Sequence, residues 1–583
     1  STASELRTRL EQALADARAG TAPPVGPPAE SDLRAPERLA IDYGDAAELA
    51  TRAERALKAL DADQPAVWNA VRSQGIFRGS GPPPKLAFLY TGQGSQYLNM
   101  LRELREQEPV VRETFAEADR VMEPHLERPL SEYVFVDTED EDARKNAEQQ
   151  LRQTEITQPA MLTVDMALTR LLAAYGVVPD YVMGHSLGEY GALVASGALP
   201  FEDALLAVSA RGREMASLEV EDVGRMAAVF APLEQVQEVV DATPGNVVVA
   251  NVNSRTQAVI GGATEPVTRA IASFEERDVK VVPLPVSHAF HTTIVAPASE
   301  PLRRTLEGLR LAPPEIPLVG NVDGQLYPTG PGAEARMVDL LAAQVASPVQ
   351  FVKGLETLYD HEVRVAIEVG PKKALHGFAT DVLGDRPDFV ALFSNHPKVG
   401  EAGSFNQALC GCYAAGIGLG TAAEPAAAAP PTEVETPRQA LPAAPPRAAQ
   451  ELSEDRYAEL GHLFAEFLER GQRLVGGEAP PAAPSRPTVV TGVGLGLPGA
   501  ARVFDDSNVD RILQGAQAID VIPAALRAAM VDKHITRLVK GDAEGPHFEA
   551  SGGQEDVFKL AARGGALDLV EEFGVPADRV PAL

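Results

Sequence analysis

Met183-Gly184-His185-Ser186-Leu187-Gly188-Glu189-Tyr190-Gly191 constrains this chain more than any other stretch. The apolar residues Tyr181–Met183 before the turn read as a short buried strand, and Tyr190, Leu193, Val194 and Leu199 after it recur at helical spacing. Between strand and helix the backbone must reverse within a few residues. Gly184 and Gly188 omit the side chains that would block so sharp a turn. A strand, a tight turn presenting one serine and an immediate helix belong to an α/β domain with a parallel sheet. A serine held there has its hydroxyl at a helix N-terminus, where backbone N–H groups can receive an oxyanion. Ser186 is the candidate nucleophile; the plainer alternative is a structural turn.

With 583 residues the chain has room for more than one domain, at about 150 residues each. Pro-rich breaks fall at 22–28 and 81–84. Before the first, Leu6, Leu10 and Leu14 share one face, so 1–35 reads as an N-terminal helix and linker. Helical patterning at Ala47–Leu60 and Val67–Val71 makes 36–84 a small linker domain. Residues 85–418 alternate short apolar runs with amphipathic helices, an α/β pattern. Inside them, 225–285 runs strand Met226–Phe230, helix 232–241, strands Val247–Ala250 and Ala258–Gly261, helix 264–276 and strand Val279–Leu284. That order is βαββαβ, the ferredoxin-like split motif, inserted after the serine. Residues 419–487 form an Ala/Pro-rich linker with one amphipathic helix at 452–470, and 488–583 open as another domain.

Composition narrows the function. A formal charge of −30 argues against a general nucleic-acid binder, which needs a basic face. No run of about 18 apolar residues is present to span a bilayer, and Ser1–Arg7 lacks the basic start and apolar run of a signal peptide. Cys410 and Cys412 are too close for an easy disulfide and lack metal-ligand spacing, so they read as core residues of a reducing compartment. The expectation is a cytoplasmic protein that binds neither nucleic acid nor membrane.

A serine needs a base within hydrogen-bond reach. His185 adjoins Ser186, but on an elbow its side chain points away. His288 and His291 lie in Ser287–Thr292, just after the last strand of the inserted motif. Two histidines three apart can ligate a metal, yet no third ligand follows at useful spacing, so no metal is expected.

Five segments carry a resemblance: Leu89–Gln96 (LYTGQGSQ), Gly184–Glu189 (GHSLGE), Ala210–Gly212 (ARG), His288–His291 (HAFH) and Glu368–Pro371 (EVGP). In that order they resemble the signature of malonyl-CoA:ACP transacylases, more narrowly the acyltransferase domains of type I polyketide and fatty-acid synthases. The resemblance covers about 85–400, and 36–84 resembles the ketosynthase-to-acyltransferase linker before such a domain. It implies a hydrolase-like parallel-sheet core with the inserted ferredoxin-like subdomain. It also implies an [acyl-carrier-protein] S-malonyltransferase, with malonyl-CoA, an acyl carrier protein and other synthase domains as partners. No bound cofactor is implied; the thioester substrate and the carrier's phosphopantetheine supply the thiols.

Carried over residue by residue, Ser186 matches the nucleophile and His291 the general base. Gln93 and the backbone N–H of Leu187 match the oxyanion hole. Arg211 matches the arginine that grips the free acyl carboxylate, Gln158 a polar pocket residue, and Gln344 the residue whose backbone carbonyl orients the histidine. In this family phenylalanine before the catalytic histidine accompanies malonyl and serine accompanies methylmalonyl. His288 and Phe290 are therefore assigned to the acyl pocket. Chemistry agrees: acyl transfer between thioesters needs an activated nucleophile and oxyanion donors but no metal, and a guanidinium fork suits a carboxylate. The bland reading of Arg211 is an ion pair with Glu214 or Asp203. Lys372, Lys373, Arg303 and Arg304 are candidates for CoA phosphates or an acidic carrier, or plain solvated cations. Two rival functions remain, a serine esterase or thioesterase and a non-catalytic docking domain.

Gly494, Gly496 and Gly499 form a G-x-G-x-x-G after a strand, with Asp520 about 20 residues on. Pro498 inside the would-be helix start argues against a dinucleotide site. The block from Phe504 to Pro523 instead resembles the opening of a ketosynthase, and no cysteine follows Cys412 to serve as its nucleophile.

Overall fold

Leu86-Ala87-Phe88-Leu89-Tyr90 is apolar at every position, as a strand must be when both its faces are covered, and all five side chains are buried. In chain order the strands are β1 (Glu37–Ile41), β2 (Ile76–Ser80), β3 (Lys85–Tyr90), β4 (Tyr181–Gly184), β5 (Arg225–Val229), β6 (Val247–Val252), β7 (Ala258–Gly262), β8 (Val281–Pro283), β9 (Leu318–Val319), β10 (Val349–Gln350), β11 (Val363–Val369) and β12 (Val390–Phe393). The computed structural model describes residues 3–23, 26–386 and 388–421, with four short strands at 519–521, 536–539, 547–550 and 560–562.

The main sheet has the order β12-β11-β3-β4-β9, every pair parallel. Its two faces follow the two-residue period of β3. Leu86, Phe88 and Tyr90 pack with Phe115, Leu162, Leu193 and Leu205, while Ala87 and Leu89 pack with Met183, Phe351 and Leu355. Helices Thr154–Ala174, Gly188–Ala195 and Phe201–Ala216 contribute to the first of these cores. Tyr90 sits opposite Gly184, so β3 and β4 end level and the segments bearing Gln93 and Ser186 leave the sheet side by side.

The second sheet has the order β10-β6-β7-β5-β8, antiparallel except for the β10–β6 pair. Ala227 and Val229 of β5 face helices Leu233–Ala242 and Thr264–Glu276, packing with Val236, Val267 and Phe274. Met226 and Ala228, pointing the other way, pack with Ala289, and Phe290 lies against them. The chain leaving β8 thus carries His291 along the face opposite those helices, where its N–H donates to the Val345 carbonyl at 3.1 Å.

Around the first sheet, β1 and β2, separated along the chain by helices Ala46–Ala62 and Pro65–Arg72, pair antiparallel from Glu37↔Ser80 to Ile41↔Ile76, a ladder outside the sequence reading. Leu10 and Leu14 of helix Ala3–Arg18 pack on Ala53, Ala56 and Ala59 of helix Ala46–Ala62. Buried Arg38 donates from Nε to the Ala414 carbonyl at 2.8 Å, at the C-terminal end of helix Glu401–Ala415, where the helix dipole favours a cation. The chain then turns back: Leu419 N–H donates to Tyr175 O at 3.0 Å, and Glu30 N–H donates to Thr421 O at 2.9 Å.

Contacts divide the chain into Ser1–Glu435 and Thr436–Leu583. In the second unit Ile519–Val521 pairs with Leu560–Ala562, and Thr536–Val539 with His547–Ala550, both antiparallel. The helix expected at 452–470, the glycine motif at 494–499 and most of the ketosynthase-like opening lie outside the described residues. No helix among the described residues is long and apolar enough to cross a membrane.

Candidate active site

The turn after β4 is tight enough that glycine is required at two places. A Cβ on Gly184 would lie 2.0 Å from the Gly188 backbone, and one on Gly188 would lie 2.1 Å from Tyr90 O. Ser186 between them is held at φ 54°, the left-handed region that costs a non-glycine residue about 1–2 kcal/mol. Asn321 clamps this conformation. Its Oδ1 accepts from Ser186 N–H at 2.6 Å, and its Nδ2 donates to Gly184 O at 2.7 Å. His185 turns away from the serine, with Nε2 2.8 Å from Asn253 Oδ1 and its ring 5.2 Å from that of Phe351.

Ser186 Oγ lies 2.6 Å from His291 Nε2. On the other side of the ring, Nδ1 is 3.0 Å from Gln344 O and 3.1 Å from Ser347 O. Two carbonyls can only accept, so Nδ1 carries the proton and Nε2 is left to accept one from the serine. His291 is 3% exposed. Burial, and then the Arg211 charge, push its pKa down to about 3, so the ring stays neutral, with Nε2 unprotonated, throughout the neutral range.

Gln344 ties this pair to its surroundings. Its Nε2 donates to Ser186 O at 2.7 Å and to Glu189 Oε2 at 2.6 Å, while its Oε1 accepts from Arg211 Nη2 at 3.3 Å. Glu189 is buried and also accepts from Tyr327 Oη at 2.6 Å. Arg211, on helix Phe201–Ala216, is 3% exposed, and its Nε has no partner. Among the described residues no carboxylate lies within ion-pair distance of it; Asp203 binds Arg310 instead, at 2.8 Å from Nε. Glu189 acts on the Arg211 charge only through space, and a buried guanidinium that no carboxylate contacts is costly unless a ligand supplies that contact.

The other expected residues lie on the turn after β3, the elbow helix, helix Thr154–Ala174, the segment before His291 and more distant parts of the chain. Gln93 is half-buried in the turn after β3, beside Gly92, whose Cβ would lie 2.4 Å from His185 O. Leu187 opens helix Gly188–Ala195, and the first N–H groups of a helix have no partner within it. Gln158 is fully buried, with Nε2 3.8 Å from Met215 Sδ and Oε1 unpartnered. His288 is buried with neither ring nitrogen hydrogen-bonded. Phe290 packs against both the main core and the second sheet. Lys372 Nζ donates to Gly94 O at 3.1 Å, next to Gln93, and Arg303 is paired with Asp339 at 2.5 Å. Lys373 Nζ lies 5.2 Å over the Phe393 ring. No group of three His, Cys, Asp or Glu among the described residues is placed to hold a metal.

Three residues of the network had no role in the sequence reading: Asn321, Glu189 and Tyr327. Asn321 reaches the elbow from 135 positions away, and Gly320-Asn321-Val322-Asp323-Gly324 reads locally as a turn. Only Glu189 gave a signal, as part of the Gly184–Glu189 segment.

The chain is 35% identical over 303 residues to a malonyl CoA-acyl carrier protein transacylase of Bacillus subtilis (strain 168), covering 51% of this chain and 90% of that protein. It is 34% identical over 331 residues to the spectinabilin polyketide synthase system protein NorB of Streptomyces orinoci, of which it spans only 14%. The crystal structure of the acyltransferase domain from the second module of the salinomycin polyketide synthase superposes with a TM-score of 0.55 at 30% identity, covering 65% of this chain and 83% of that one. With the acyl transferase domain family model matching residues 87–385, the chain belongs to that family.

Proposed function

We propose that this protein moves malonyl from malonyl-CoA to the phosphopantetheine thiol of an acyl carrier protein through a Ser186-linked acyl-enzyme, within a polyketide or fatty-acid synthase. The observation that carries this reading is the 2.6 Å Ser186–His291 contact beside a buried arginine that no carboxylate contacts. His291 Nε2 takes the hydroxyl proton as Ser186 Oγ attacks the thioester carbonyl. Gln93 and the Leu187 N–H hold the oxyanion, while Arg211 grips the free carboxylate and Gln158 and His288 line the acyl pocket. Collapse expels the CoA thiolate, which takes the proton back from His291. The carrier thiol then enters, gives its proton to His291 and attacks the acyl-serine; Ser186 leaves with that proton. The Gln344 carbonyl keeps the imidazole in the useful tautomer, in place of a carboxylate.

The same reading makes 85–418 the catalytic unit, a hydrolase-like sheet with 225–285 as an inserted ferredoxin-like layer; the β8-β5-β7-β6 order supports it. The free thiols Cys410 and Cys412 suit a cytoplasmic setting. Mixing the protein with malonyl-, methylmalonyl- and acetyl-CoA and weighing it intact tests the proposal. One malonyl mass on a peptide containing Ser186 is expected. Rapid turnover of neutral esters without a transferable acyl-enzyme would instead make it an esterase.

Phe290 is the residue that excludes a 2-methyl branch, by filling the space next to His291. One methyl group in a pocket discriminates by about 1–3 kcal/mol, so Phe290→Ser is expected to raise methylmalonyl over malonyl transfer by about tenfold. Competition between the two CoA esters measures the ratio. If it does not move, the selectivity lies elsewhere in the pocket.

A further inference from the structure

Three of the buried side-chain polar atoms that lack a hydrogen-bond partner sit on three helices that pack on one another. They are Gln158 Oε1 on Thr154–Ala174, Tyr190 Oη on Gly188–Ala195 and Arg211 Nε on Phe201–Ala216. Gln158 and Arg211 already have work to do in the acyl pocket. Tyr190 does not. It lies four residues beyond Ser186, one helical turn along the elbow helix, and its side chain is wholly buried. A buried phenol ordinarily finds an acceptor for its O–H.

The charged groups around Tyr190 provide none. Arg211 and Glu189 both act on it electrostatically. A guanidinium has donors only. The two Glu189 oxygens accept from Tyr327 Oη, the Asn321 N–H and Gln344 Nε2, and neither accepts from Tyr190. Tyr190 and Arg211 are thus two buried donors, neighbours on packed helices, and neither is hydrogen-bonded to a carboxylate. A carboxylate has lone pairs for both: it can take the Arg211 fork and still accept one further hydrogen bond.

We propose that Tyr190 is a specificity-determining residue whose Oη–H donates to the free acyl carboxylate that Arg211 binds. The inference rests on the malonyl-transfer reading of the site and deepens it. Recognition of the carboxylate is divided between a charge, which attracts any anion, and a directed hydroxyl, which fixes where the carboxylate sits relative to the thioester carbonyl. An acyl group without a carboxylate gains nothing from Tyr190.

Tyr190→Phe removes the hydroxyl and keeps the ring, so core packing is retained. The kcat/KM for malonylation of Ser186 is expected to fall about tenfold, the scale of one hydrogen bond to a charged group, with acetylation from acetyl-CoA within twofold of wild type. A structural role for the hydroxyl would lower both acyl-CoAs alike and would overturn the inference, as would an unchanged malonyl rate. A wild-type protein that forms no malonyl adduct overturns the transferase reading and this inference together. Failure confined to the Tyr190→Phe comparison overturns this inference alone.

Discussion

Replacing Ser186 with alanine is expected to eliminate the malonyl adduct and lower transfer to the carrier on the order of 10⁴–10⁶-fold. The side chain's hydrogen bond is to His291, while the backbone N–H stays with Asn321 Oδ1, so the fold has little reason to change. His291→Ala should cost nearly as much. The double variant should be no worse than Ser186→Ala alone, because nucleophile and base act as one unit and their losses do not add. Intact mass after incubation with malonyl-CoA, with transfer rates to a carrier, reads both effects. Acyl-enzyme still accumulating in Ser186→Ala would place the nucleophile elsewhere.

The elbow is legible in the sequence because its geometry is local. Gly184 and Gly188 are glycine for a reason that two short distances state, and both fall within nine residues of the chain. The strands and helices of 225–285 are legible too, because each carries its own period: the strand expected at Met226–Phe230 is Arg225–Val229, and the helix expected at 264–276 is Thr264–Glu276. The β1–β2 ladder is not. Glu37-Arg38-Leu39-Ala40-Ile41 is short and half polar, and its register to Ser80 is fixed by tertiary contact with helix Glu401–Ala415 rather than by any turn. The connections of the site share that character. Residue types and family resemblance suggest a nucleophile, a base and an arginine, but not that Gln344 touches the Ser186 carbonyl, Glu189 and Arg211 at once. Those bonds join positions 133 to 158 apart, and nothing in a neighbouring residue encodes them.

Arg211→Ala is expected to change what the enzyme accepts rather than whether it works. With malonyl bound, the guanidinium and the carboxylate form a desolvated pair, and truncating one partner strands the other at a cost of about 2–5 kcal/mol. Malonyl transfer should therefore fall by about 30- to 5000-fold. Acetyl transfer should hold or rise, since an empty cationic pocket does nothing for a methyl group. The variant carries a second signature, because Arg211 also acts on the base. Its positive charge disfavours protonating His291, second only to burial, so the wild-type ring titrates at about 3 and the malonylation profile should show no histidine limb between pH 5 and 8. Removing the charge raises the His291 pKa toward its ordinary value. The acid limb of acetyl transfer should then move to higher pH in Arg211→Ala, and less so in Arg211→Lys, which keeps the charge but not the fork. Rates with both acyl-CoAs across pH 4–9 decide the matter. An equal loss for malonyl and acetyl with an unmoved acid limb would mean that Arg211 braces Gln344 and the fold around it, and that the acyl carboxylate is read by some other group.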